Sequence, residues 1–168
     1  MGMVGEYLRV APAELARAIT DQAWGEEFID DVLDAESEGC PDPTRARSHN
    51  TDKAWDALGF LTRRIGFTVD VVHGAEAMPW DENDWSHGVP RYLTPDRVRA
   101  AAEALSATPG HRLVAGVGPA DLVRAGVYPA FVWEQAESLD YATGHYTALG
   151  VFFRSAAEAG DAVLVWLS

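Results

Sequence analysis

Cysteine is nearly absent from this sequence: Cys40 stands alone among 168 residues. No intramolecular disulfide can form, and no cysteine-rich zinc site can be built. Cys40 lies in Gly39-Cys40-Pro41 with no histidine at short spacing, so a catalytic thiol is not expected. Lysine is equally scarce, with Lys53 the only one, and basic residues as a class number 13 against 26 acidic ones. The resulting formal charge of −13 repels phosphate backbones and anionic membrane surfaces, so neither nucleic acid nor membrane is an expected partner. A basic protein partner, self-association or simple solubility fits that field better. Long apolar runs are also missing. None approaches the roughly 18 residues of a spanning helix, and the first residues lack the basic-then-apolar order of a secretory signal. Glu6 occupies the position where a myristoylation signal carries Ser or Thr. A cytoplasmic location is the expectation.

Standard catalytic signatures are missing too. Gly116-Val117-Gly118 runs straight into Pro119, which fits neither a phosphate-binding P-loop nor a dinucleotide fingerprint. There is no G-x-S-x-G elbow and no H-E-x-x-H helix, and the acidic runs do not follow a calcium-loop pattern. The five histidines, His49, His73, His87, His111 and His145, are scattered without ligand spacing. No catalytic residue, metal or cofactor is expected on these grounds.

What is present describes one globular domain over residues 1–168. Apolar residues make up 48% of the chain and charged residues 23%, with six Trp, five Tyr and six Phe, a composition incompatible with disorder. A chain of this length buries roughly 70% of its unfolded surface. Residues 2–10 alternate loosely and read as a strand. Helices are expected from Pro12 onward, at about 21–37, 52–64, 95–106, 119–124 and 135–158, with starts at Pro12, Thr94-Pro95 and Pro119 and a stop at Gly160. The helix at 21–37 turns Trp24, Phe28, Ile29, Val32 and Leu33 inward and carries an outer ridge of Glu26, Glu27, Asp30, Asp31 and Asp34. Residues 39–50 read as loop, 67–73 as either strand or helix, and 74–91 as a long irregular segment. Ala162–Leu167 is a continuous apolar run, read as a buried central strand with residues 2–10 as its neighbour. The expected class is α+β, a small sheet including the N- and C-terminal strands packed with about five or six helices.

Several short stretches resemble the YfbM-like proteins, a bacterial family of unknown function. They are Met1-Gly2-Met3-Val4-Gly5, the Asp52-Lys53-Ala54-Trp55 helix start running to Leu58, and Gly88-Val89-Pro90-Arg91-Tyr92-Leu93-Thr94-Pro95. Val127-Tyr128-Pro129 and the ending Ala156, Ala157, Gly160, Ala162 follow in the same order. The resemblance implies a compact α+β fold and no particular activity. Gly59 departs from it, because members often carry a histidine there.

Candidate ligand-binding residues are Lys53, Trp55, Trp80, Trp85, His87, Arg91 and Tyr92. His87, near Asp81 and Asp84, is the best acid–base candidate. Lys53 is placed to reach the Asp-rich loop or an anion, and Arg91 an anion at the following helix start or an internal carboxylate. The aromatic set Trp80, Trp85, Tyr92, Tyr128 and Trp133 falls in or beside predicted loops, where it would line a pocket or interface or pin the loops to the core. The leading functional expectation is an acidic protein-binding module. The alternatives are a small-molecule-binding protein or enzyme with its site near His87, Arg91, Tyr92 and Lys53, and a structural homodimer with the 74–91 loop at its interface.

Overall fold

The computed structural model describes residues 2–168. Its centre is a five-stranded antiparallel sheet in the order β2-β1-β5-β4-β3. The strands are β1 (Gly5–Val10), β2 (Ser48–Asn50), β3 (Glu76–Ala77), β4 (Arg91–Leu93) and β5 (Ala162–Leu167). The apolar run at the end of the chain is the central strand, and β1 pairs with it from Gly5 opposite Leu167 to Val10 opposite Ala162. Val4 and Ser168 continue the ladder with two reciprocal backbone hydrogen bonds of 3.0 Å. The class and the pairing of the two end strands stand as expected.

Strand side chains alternate between faces, and each face of this sheet holds its own core. Tyr7, Leu93, Val163 and Val165 join one cluster with α3 (Trp55–Arg64), α4 (Pro95–Ala107) and α8 (Ser138–Ala159). Leu8, Val10, Leu164 and Trp166 join the other with α1 (Pro12–Thr20) and α2 (Gln22–Gly39). Three short helices, α5 (Gly110–Leu113), α6 (Pro119–Arg124) and α7 (Ala130–Trp133), add Leu113, Leu122 and Trp133 to the first cluster. The described residues thus hold eight α-helices; the single-turn α5 and α7 are the additional ones, too short to show a periodicity in sequence.

The irregular segments resolve differently from their sequence reading. Residues 67–73 form neither strand nor helix. Asp70 instead caps a turn by accepting the Val72 and His73 backbone N–H groups at 3.0 and 2.8 Å, while Val69, Val71 and Val72 are buried. The stretch 39–50 contains β2, which is only Ser-His-Asn and has no apolar alternation to announce it. In the 74–91 segment Trp80 is 7% exposed and donates its indole N–H to the Ala18 carbonyl at 2.8 Å. Gly25 makes room for it: a Cβ there would stand 2.5 Å from Trp80 Cζ2. The α2 aromatics are only half-buried, yet Trp24 and Phe28 stack at 4.9 Å. Arg17 lies 4.3 Å over Trp24 and Arg47 5.2 Å over Phe28, so guanidinium groups roof the pair. Helix α2 ends at Gly39, and the capping residue Cys40 lies in the left-handed region at φ 44°, a position that favours glycine.

Two substitutions test this packing by chemical denaturation. Gly25→Ala drives a methyl into the Trp80 ring and is expected to cost about 1–3 kcal/mol. Cys40→Gly relieves a left-handed non-glycine residue and is expected to add up to about 1 kcal/mol.

Candidate functional site

The fold separates the sequence candidates into two groups on opposite faces of the sheet. Trp80, Trp85 and Tyr92 belong to the α1/α2 side. Trp85 sits 5.9 Å from the Trp80 ring and 6.3 Å from Trp166, and its indole N–H donates to Glu26 at 3.1 Å. The Tyr92 hydroxyl donates to Glu76 at 2.7 Å; that bond, with burial and the Glu76 charge, raises its pKa. Arg91 is next to Tyr92 on β4 and so projects to the other face. It donates to the Ala75 carbonyl at 2.6 Å and takes part in no ion pair among the described residues. The pair Arg91 and Tyr92 therefore does not form one site.

Lys53, Trp55 and His87 do converge, beside the paired chain ends. Lys53 lies in a short 3₁₀ turn, Asp52–Ala54, that leads into α3. Trp55 begins α3, is buried, and donates its indole N–H to the Met3 carbonyl at 3.1 Å. The Tyr128 ring lies 5.8 Å from Trp55, and its hydroxyl accepts the Met3 N–H at 3.0 Å. Around these groups opens a hollow of about 640 Å³ lined by Gly2, Met3, Val4, Lys53, His87, Tyr128 and Ser168. A smaller hollow of about 90 Å³ continues past His87 to His73 and Arg91. His73 pairs with Asp70 at 3.2 Å. Burial alone would raise the Asp70 pKa, but its hydrogen bonds with His73 and Val72 and the His73 charge bring it down to about 2. Gly59, where the family resemblance expects an imidazole, faces one from elsewhere: a Cβ there would lie 3.4 Å from His73 Cε1.

On its other side Lys53 borders a third hollow, about 460 Å³, with Asp52, Phe131, Val132, Gln135, Glu137, Ser138 and Tyr141. Phe131 is 60% exposed at its edge, whereas Ser138 is 2% exposed and its hydroxyl has no partner. Asp52 adopts φ 46° and accepts the Tyr141 hydroxyl at 2.8 Å. The same hydroxyl accepts the Lys53 N–H at 3.1 Å, and burial together with Asp52 pushes the Tyr141 pKa up to about 12. The His145 ring packs edge-on against Tyr141 at 4.7 Å. Next to it on β2, His49 stacks on Phe152 at 5.4 Å with its Nε2 buried and unpartnered. Burial, reinforced by the nearby His145, lowers the His49 pKa to about 4.

The carboxylates of α2, the expected ridge together with Glu36 and Glu38, divide by use. Glu36 is turned inward and accepts the Arg47 and Ser48 backbone N–H groups and the Ser48 hydroxyl. Glu26 holds Gln22 and Trp85. Glu27, Asp30, Asp31, Asp34 and Glu38 are exposed, and none has a cationic partner within 4.0 Å among the described residues. Sequence reasoning missed Met3, Ser168, Phe131, Ser138 and Tyr141, which reach their hollows only through tertiary pairing. Tyr141 carried a signal in retrospect, four residues before His145 on one helical face. Among the described residues, no three His, Cys, Asp or Glu side chains group to hold a metal ion, and no helix is long and apolar enough to cross a membrane.

Comparison with known proteins agrees with this architecture. The family described as "Domain of unknown function (DUF1877)" matches residues 1–166. The crystal structure of YfbM from Escherichia coli, a protein of unknown function, superimposes with a TM-score of 0.64 at 16% sequence identity, covering 98% of this chain and 99% of that one. That likeness establishes the fold. No curated protein matches.

The buried imidazole predicts a pH response. Because the folded pKa of His49 is about 4 against 6.5 for the free side chain, the unfolded chain binds the extra proton first as pH falls. Stability is full above about pH 6.5 and declines toward pH 4, by up to about 3 kcal/mol from this group. Denaturation at stepped pH should show that slope, and His49→Phe, which keeps the ring stack and removes the titration, should flatten it. Asp70 acts lower, between about pH 3.8 and 2, so the two contributions are separable.

Proposed function

The chain belongs to the DUF1877 family, whose description assigns no activity, and we propose that it is a binding module whose acidic α2 face docks a basic segment of another protein. The observation that carries this reading is the set of exposed carboxylates at Glu27, Asp30, Asp31, Asp34 and Glu38, which have no ion-pair partner among the described residues. Helix neighbours four apart face each other, so Glu27 opposes Asp31, Asp30 opposes Asp34, and Asp34 opposes Glu38. Each such like-charge pair costs about 0.2–0.5 kcal/mol. The last turn of α2 contains no basic residue, and its carboxylates stand at the negative end of the helix dipole. Stability alone disfavours this face, which supports a use outside the fold. A partner rich in Arg and Lys would offset both costs and be steered to the face from a distance.

A triple variant, Asp30→Asn with Asp31→Asn and Asp34→Asn, separates function from folding. It is expected to be more stable than the parent by about 1 kcal/mol, since it removes these repulsions. Used as baits at low salt and at about 0.5 M salt, the two proteins should differ. The parent retains a protein with a basic segment at low salt only, and the variant retains it at neither. Retention of the same proteins by both baits at both salts, or of none by the parent at low salt, would refute the reading.

A further inference from the structure

Lys53 is the only lysine in a chain of net charge −13, and its ammonium has no ion pair among the described residues. A Cβ on Gly2 would lie 3.2 Å from Lys53 Cε and 2.5 Å from the Tyr128 hydroxyl, so the small residue at position 2 keeps this corner open. Of the two hollows that Lys53 borders, the one near Phe131 is also lined by Asp52 and Glu137, which repel an anion. The hollow beside Met3 and Val4 is lined by no Asp or Glu side chain. Ser168 at its edge is engaged by Val4 and Glu6, and the other polar side chains can donate. Lys53 contributes an ammonium, His87 an imidazole, and Tyr128 a hydroxyl that accepts from Met3 and keeps its own proton for another partner. Met3, Val4 and the face of the Tyr128 ring supply carbon surface. The buried Trp55 fixes the floor through its bond to the Met3 carbonyl and its contact with Tyr128. A volume of about 640 Å³ is that of a small-molecule site.

We propose that this hollow binds a small organic carboxylate with an apolar body, its charge on Lys53 and the Tyr128 hydroxyl and its body against Met3 and Val4. The site uses no residue of the α2 face and stands or falls independently of it. The probe is 2-naphthoate, with the uncharged, similarly shaped 2-naphthamide as its control, each titrated into the full chain while backbone amide resonances are followed by NMR. The expected result is saturable shifts at Gly2–Val4, Lys53, His87, Tyr128 and Ser168. Affinity for the amide should be at least about tenfold lower, as loss of a charge-assisted contact requires. Lys53→Met, which keeps the stem, should reduce naphthoate binding to the level of the amide, whereas Lys53→Arg should retain most of it. An unchanged amide spectrum elsewhere in the chain confirms that each variant is folded. No saturable shift with naphthoate, shifts centred on Phe131 and Tyr141, or equal affinity in the parent and Lys53→Met would each overturn the proposal.

Discussion

The antiparallel ladder between Gly5–Val10 and Ala162–Leu167 joins segments from opposite ends of the sequence, so forming it closes nearly the whole chain into one loop. Loop closure costs entropy that only the contacts made afterwards can offset, and here those contacts are two cores at once. Tyr7 and Val165 face the α3, α4 and α8 cluster, while Leu8 and Leu164 face α1 and α2. A slip of one residue would exchange the faces of every strand side chain. It would also strand the Tyr7 hydroxyl, which donates to the Val71 carbonyl at 2.9 Å from a fully buried position. The near-buried Arg9–Asp161 ion pair at 3.0 Å fixes the register at the other end of the ladder.

Both proposed surfaces are consequences of that pairing. Extension of the ladder by Val4 and Ser168 lays Gly2–Val4 beside Lys53, Trp55 and Tyr128, residues remote in sequence that share no periodic signal. On the opposite face, α2 is anchored by Ile29 and by Trp80 entering the space left by Gly25. With that side committed to the core, the remaining carboxylates have only solvent to face. The half-buried Glu26 and Glu36 hold the α2 side to the Trp85 loop and to β2.

The parts legible in the sequence were those with a period or a strong terminus. The apolar run at 162–167, the helix start at Thr94-Pro95 and the stop at Gly160 correspond to observed elements, although the Thr94 side chain forms no capping hydrogen bond. The extents of α4 and α8, expected at about 95–106 and 135–158, lie within a few residues of the observed helices. Elements of two to four residues, such as β2, β3, α5 and α7, fall below the length at which periodicity exists, and their partners are remote. The candidate site was legible in residue type but not in grouping. Scarcity drew attention to Lys53, and Trp55 and His87 were marked, yet nothing local distinguishes Arg91 from Tyr92, which the pleat of β4 sends to opposite faces. The tryptophans at 80 and 85 read equally well as pocket lining or as pins from sequence, and their indole hydrogen bonds to Ala18 and Glu26 show them holding their loop to α1 and α2.

The outermost strands, β2 and β3, contain three and two residues. The Ser48 backbone N–H of β2 is taken by the Glu36 carboxylate rather than left open, and Glu76 puts a charge on β3. An exposed strand edge is a template onto which another chain can add, and short, capped, charged edges remove that template. The sheet edges are therefore poor templates for strand addition, which lowers the tendency of a concentrated sample to seed fibrils through its folded state.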